Sequence, residues 1–249
     1  MLDLGFVPVF DSGLILKKHM LEALRDYPIK YVETFFSDMA DGVIVGLDIK
    51  LTEDESFVVG SGIVKIGGKV FVLDNFEKIG FLEQKNYVYL NIIQDNQIDG
   101  IDYKCEIVQK SIEDNTLFEL FRYVKNAELK KYTSVYDLFS DMTNRIDQRK
   151  LLSSKVGGST LINDYFVLYG KELLKNETLG MKDCIFAYQC LNRIDNIEIV
   201  KEYFRLEEVN NEAVITAMKN KLEELMHKPE NNISNEQKVQ PKTTQIHVY

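Results

Sequence analysis

The sequence predicts an α+β protein: a small antiparallel β-sandwich or partly open barrel over about 41–110, with short N-terminal helices before it and a helical domain over about 115–227 after it. Three observations lead there. Residues 43–51 alternate apolar Val43, Val45, Leu47, Ile49 and Leu51 with Ile44, Gly46, Asp48 and Lys50, the period of a strand with one buried face. Glycine pairs then punctuate further short apolar runs, and Gly67-Gly68 suits a two-residue hairpin, whose central positions both need positive φ. From residue 115 onward the apolar spacing changes from two to three or four, as on the buried face of a helix.

Each element has its own signal. Residues 1–10 hold Pro8 and read as an edge strand or extended arm. Asp11 and Ser12 suit the start of a helix near Leu14 that closes at Tyr27-Pro28, and a second short helix follows over 29–39 with Val32, Phe35, Phe36 and Met39 on one stripe. Residues 1–40 therefore form an arm with helices. A strand over 41–51 leads through the polar TEDES turn to a strand from Phe57, a Gly60-Ser61-Gly62 bend, and a hairpin closing at Leu73. The runs at 87–93 and 103–108 form a further hairpin that completes the sheet. Thr116 and Glu119 match a capping box ahead of Leu117, Leu120, Phe121 and Val124, which predicts a helix. Ser134 and Asp137 repeat the pattern and predict a helix to about Leu152. A break with Gly157-Gly158 follows, then helices over 161–174, 180–194, 197–206 and 211–226. Residues 228–249 read as a flexible tail whose last seven positions alternate and suit a strand added to a partner's sheet.

Composition narrows the function classes. With 249 residues and 45% hydrophobic content the chain can bury a real core. A net charge of −9 without a basic stripe argues against nucleic acid, which demands clustered cations to displace counterions. The N-terminus lacks the basic and apolar regions of a secretory signal, and no apolar run is long enough to span a membrane, so synthesis in the cytoplasm without membrane insertion is expected. Cys105, Cys184 and Cys190 form no CxxC pair and read as buried free thiols. Thirteen Tyr and fourteen Phe with no Trp serve mainly the core, with some at contacts between chains.

Candidate chemistry is sparse. In DNQIDGIDYKCE, Asp95, Gln97, Asp99, Gly100 and Glu106 fall on positions one, three, five, six and twelve of a calcium loop. Gln97 is a poor third ligand and strands flank the loop, so a polar hairpin connection accounts for the same letters. Asp95, Asp99 and Glu106 stand as the calcium candidate, while no metal and no cofactor are expected. Gly60-Ser61-Gly62 and Gly67-Gly68-Lys69 do not match a phosphate loop and precede strands rather than a helix. His19, His227 and His247 form neither HExxH nor a Ser-His-Asp order. Glu53, Asp54 and Glu55 sit at a solvated turn, where a carboxyl keeps the ordinary pKa that general acid catalysis rarely uses. No catalytic residue is expected.

The stretch ADGVIVGLDIKL followed by FVVGSGIVKIGGKVFVL, within residues 40–73, resembles a motif of structural proteins in phage tails and phage-tail-like particles (tailocins), in baseplate and fibre-attachment subunits. The resemblance covers about one seventh of the chain. It implies a non-enzymatic baseplate component of a contractile tail that links the baseplate to fibres or neighbouring subunits. Its partners would be other subunits and further copies of itself, and its destination the virion or tail-like particle. A receptor- or glycan-binding module of a tail fibre is the alternative, and a cell-wall-degrading enzyme the third reading.

Overall fold

The computed structural model describes residues 15, 17–54, 56–74, 77–82, 86–97, 100–124, 132–139, 146–177 and 179–226. The class is α+β, as the alternation and spacing predict. Among the described residues the strands form three small sheets, none a closed barrel, and helices dominate the C-terminal part. No helix among them is long and apolar enough to cross a membrane.

The N-terminal helices predicted on either side of Pro28 are one helix, α1 (Lys18–Phe35), and the predicted cap at Asp11 and Ser12 lies outside the described residues. Pro28 forfeits one backbone hydrogen bond without stopping the helix. Its far end is held instead by Lys65, whose ammonium donates to the carbonyls of Phe36 (2.8 Å), Ser37 (3.3 Å) and Met39 (2.6 Å). A lysine thus ties down the turn that follows the helix.

The predicted strand over 41–51 is split. β1 (Gly42–Gly46) and β2 (Ile49–Leu51) belong to different sheets, and the chain turns between them at Leu47, with φ 59°. A leucine in that region costs about 1–2 kcal/mol, offset by burial of its side chain and by its N–H donating to Ser61 O at 2.9 Å. β3 (Ser56–Val59), β4 (Gly62–Ile66) and β5 (Lys69–Leu73) follow. The Gly60-Ser61-Gly62 bend carries the chain from one sheet to the other. The Gly67-Gly68 hairpin forms as predicted, with φ of 59° and 76°, and the Asp41 carboxylate accepts from both turn amides at 2.7 and 3.1 Å. β6 (Glu77–Gly80) completes the sheet β2-β3-β6.

The hairpin of β7 (Tyr87–Gln97) and β8 (Gly100–Lys110) does not complete that module. It forms a third sheet with β9 (Phe118–Arg122), where a helix is predicted. The capping-box letters serve a turn: Asp114 Oδ1 accepts from the Thr116 N–H at 2.9 Å and from its hydroxyl at 2.6 Å. Glu119 pairs with Arg122 at 2.8 Å. A bulge at Leu120 then lets consecutive Leu120 and Phe121 both face inward, and that mimics helical spacing in the sequence.

The helix predicted over 134–152 is confined to α2 (Val135–Phe139) among the described residues, and Asp147 already pairs with Arg122 as an extended bridge. The predicted break is itself a hairpin, β10 (Ser153–Lys155) and β11 (Gly158–Thr160), turning at Gly157 with φ 81°. β10 pairs parallel to β1, so the first sheet runs β11-β10-β1-β4-β5. The remaining helices fall where predicted, within a few residues: α3 (Asn163–Leu173), α4 (Met181–Leu191), α5 (Ile197–Phe204) and α6 (Asn211–Met226). Gly170 on α3 lies against α4, where a Cβ would meet Ala187 O and Cys190 Cβ at 2.8 Å, so the helices pack closely there.

Two cores result. One joins the inner faces of the sheets around Phe57, Val64, Val88 and Phe121, and the other joins α2–α6 around Phe166, Tyr169, Phe186, Val200 and Met218. Ile162, at the start of α3, packs against both. The crossing of β1 and β4 is the tightest point: a Cβ on Gly46 would lie 2.2 Å from Ser61 O, at φ 76°. Gly46→Ala is expected to lower stability by about 3 kcal/mol or more, read from the midpoint of urea unfolding. Gly68→Ala, with a similar φ but open space around it, should cost only about 1 kcal/mol.

Candidate functional site

Of the three calcium candidates, Asp95 and Glu106 are set apart by strand pairing. β7 and β8 pair in continuous register, which sets Asp95 opposite Asp102 and Glu106 opposite Asn91. Asp95 and Glu106 are thus separated by four residue steps along the ribbon, about 13 Å. Lys104 approaches the Asp95 carboxylate at 3.8 Å. Asp99 lies outside the described residues, among which no group of three His, Cys, Asp or Glu is placed to hold a metal ion. At the TEDES turn Asp54 accepts from Thr52 and Lys78, and those bonds hold its carboxyl at about 2, an exposed anion rather than an acid. Glu55 lies outside the described residues, as do His227 and His247, while His19 sits exposed on α1. The glycine runs form turns and a sheet crossing, as described above.

The three cysteines are free, but only Cys190 is buried as expected; Cys184 is half-buried and Cys105 exposed. Cys105 stands on a cleft of about 460 Å³ between the ribbon and the first two sheets, lined also by Leu47, Val72, Glu77, Leu90 and Tyr103. Tyr103 closes one end by meeting Phe71 edge-on at 5.5 Å, and Lys69 donates to its hydroxyl. This concave site does contain an acid. Burial, with the charge of Glu106 adding, raises the Glu77 carboxyl above its usual range. Desolvation along the cleft wall, with Glu77 and Glu106 adding, pushes the Cys105 thiol up to about 11. The thiolate is therefore scarce at neutral pH, the reverse of what a cysteine nucleophile requires. Among the described residues no histidine lines the cleft to activate it. Sequence reasoning passed over Glu77 and Cys105 because three sheets must come together before they share a wall.

A second unexpected group is Lys155 on β10, fully buried. Its ammonium donates to Asn163 Oδ1 at 2.5 Å at the start of α3. Burial, with the nearby charge of Arg193 adding, pulls its pKa down to about 8, and Asp195 opposes the shift. A lysine of lowered pKa has the chemistry of an amine nucleophile, yet this one has no exposed surface through which a substrate could reach it. Arg193 is occupied with Ile44 O at 2.6 Å and Asp195 at 2.8 Å. Lys155 reads as a structural cation joining the hairpin to α3.

The helical part holds one further buried charge. Asp183 accepts from the Tyr203 hydroxyl at 2.8 Å and lies 3.4 Å from the Lys221 ammonium. It borders an open cleft of about 920 Å³ between α4, α5 and α6. With its partners satisfied, Asp183 is a structural anion.

Two measurements check these assignments. Alkylation of Cys105 by iodoacetamide in folded protein is expected to be slow at neutral pH and to accelerate up to about pH 11, followed by mass spectrometry. For Lys155 the folded pKa lies below that of the unfolded chain, so the unfolded state binds more protons between the two values. Its destabilisation is full below about pH 8 and fades as pH rises toward the ordinary lysine value. Raising the pH from 8 to 10 should therefore stabilise the natural protein relative to Lys155→Met, by about 2 kcal/mol, read by urea unfolding at each pH.

No protein-family model matches the sequence, and no curated protein matches it. Among solved structures, a crystal structure of TssK is similar over 89% of this chain and 68% of that one, with a TM-score of 0.40 and 10% sequence identity. A likeness of that size does not establish a common fold.

Proposed function

We propose that this chain is a non-enzymatic structural subunit of the baseplate of a contractile phage tail or tailocin, and that it links the baseplate to fibres or neighbouring subunits. In this reading the chain is made in the cytoplasm and ends in the particle. Residues 1–40 and 228–249 act as reaching segments, the latter by adding a strand to a partner, while 41–110 docks on neighbours and 115–227 forms a supporting helical body. The resemblance within residues 40–73 motivates it.

The observation that carries the proposal is the β7–β8 ribbon. Both strands are 11 residues long, yet only Tyr87–Leu90 of β7 also pairs with β9. Among the described residues the outer edge of β8 has no strand beside it. A two-stranded ribbon gains little stability on its own, and a long unpaired edge invites pairing with another chain. Ile101 and Tyr103 are exposed along it. Such a strand suits a subunit that completes its sheet on a neighbour. The chemistry described above is consistent with a docking role, since the buried charges are satisfied and the cleft thiol is unreactive.

The test is fractionation of the source cells after induction of their tail-like particles, with this chain quantified by mass spectrometry. Stoichiometric recovery in sheath-bearing particles is expected, together with loss of complete particles when its gene is deleted. Recovery only as free protein, with normal particles in the deletion strain, would sink the proposal. Ile101→Asp should leave the circular dichroism spectrum unchanged and lower incorporation about tenfold or more.

A further inference from the structure

We infer that α1 is a self-association helix: two copies of this chain pair through it, antiparallel, about a twofold axis near Tyr27. The inference does not depend on the particle reading. α1 is 18 residues long, about 27 Å, and only Met20 on it is buried. Leu24, Tyr27, Tyr31 and Phe35 recur three or four residues apart and so share one face. All four are exposed, Tyr31 and Phe35 by about two thirds (69% and 67%). Tyr31 and Phe35 already stack at 6.0 Å, which presents a continuous aromatic surface. A folded monomer rarely leaves such a row in water.

The charges that flank the face point to the occupant, and an axis near Tyr27 sets Phe35 at the level of Met20. In an antiparallel pair Leu24 of one copy meets Tyr31 of the other, and Tyr27 meets its own counterpart beside Pro28. The charges agree with that direction. Lys17, just before the helix, and Asp38, in the turn just after it, bracket the stripe, and both are exposed. Antiparallel pairing sets Lys17 of each copy against Asp38 of the other, at both ends. Parallel pairing would set lysine against lysine and aspartate against aspartate. Lys65 ties the turn after each α1 to its body, and the antiparallel arrangement sets those two ties at opposite ends of the helix pair. This is the self-complementary patch that twofold symmetry requires. Tyrosine and phenylalanine are suited to the centre of such an interface.

Sedimentation equilibrium of the full chain, from low to high micromolar, tests the inference. A reversible dimer is expected. Tyr31→Glu should weaken it about a hundredfold or more. Lys17→Glu and Asp38→Lys should each weaken it about threefold to tenfold, and the double variant should return it to within about twofold of the natural value. With Cys105 and Cys184 replaced by serine, a mixture of Leu24→Cys and Tyr31→Cys chains should cross-link on mild oxidation, and neither chain alone should do so appreciably. A chain that stays monomeric throughout overturns the inference, as does a dimer indifferent to Tyr31→Glu. Failure of the double charge reversal to recover affinity, or cross-linking by each single-cysteine chain alone, overturns the antiparallel pairing. A monomer whose melting temperature falls with Tyr31→Glu would show that the chain's own residues cover the stripe, which equally overturns it.

Discussion

The parallel pairing of β10 with β1 is the contact on which the rest of the fold depends. It joins segments about 110 positions apart, through the Val43 N–H donating to Leu152 O at 2.8 Å and the Ala40 N–H donating to Lys155 O at 3.0 Å. Parallel strands need a long crossover, and here that crossover includes the whole of the second and third sheets. Gly42 permits the approach: its φ is 148° and a Cβ there would lie 2.7 Å from Ser154 N. Because β10 enters beside β1, the turn to β11 and the start of α3 are set against the first sheet, and the helices pack outward from that position.

A polar junction reinforces the same contact. Asp147 is nearly fully buried and accepts from the Arg149 N–H at 2.8 Å, from its guanidinium at 3.1 Å, and from the Tyr132 hydroxyl at 3.2 Å. The neighbouring Gln148 N–H donates to the Tyr165 hydroxyl on α3 at 3.1 Å. Burial raises both tyrosines well above their ordinary pKa, so both hydroxyls remain neutral in the physiological range. A buried carboxylate is tolerated only when each lone pair finds such a partner. The cores are thus tied by a satisfied network as well as by Ile162.

The surfaces left over differ in kind. Among the described residues the β7–β8 ribbon leaves backbone unpaired along one edge, a surface suited to main-chain pairing with another strand. α1 carries an exposed aromatic stripe, a surface suited to side-chain packing. The two are chemically independent, and a subunit that meets both its own copies and other chains can use them at the same time. The interior charges are hydrogen-bonded internally, which leaves recognition to these apolar and backbone surfaces.

The sequence by itself determined the class, the Gly67-Gly68 hairpin and the helices from α3 to α6, because each rests on local periodicity or on a backbone conformation only glycine adopts easily. The pairing of β7 with β8 was legible as well, since both runs alternate as strands do. What only the tertiary structure decided were the places where packing overrode local spacing. β9 imitates a helix because a bulge turns two adjacent apolar residues inward. α1 runs through Pro28, and Lys65, distant in the chain, ties down the turn that follows the helix. The 41–51 run divides at Leu47 because its halves pair with different partners. Lys155 is buried, and Glu77 and Cys105 are partly desolvated in a cleft, by elements distant in the chain, and no local pattern records such neighbours.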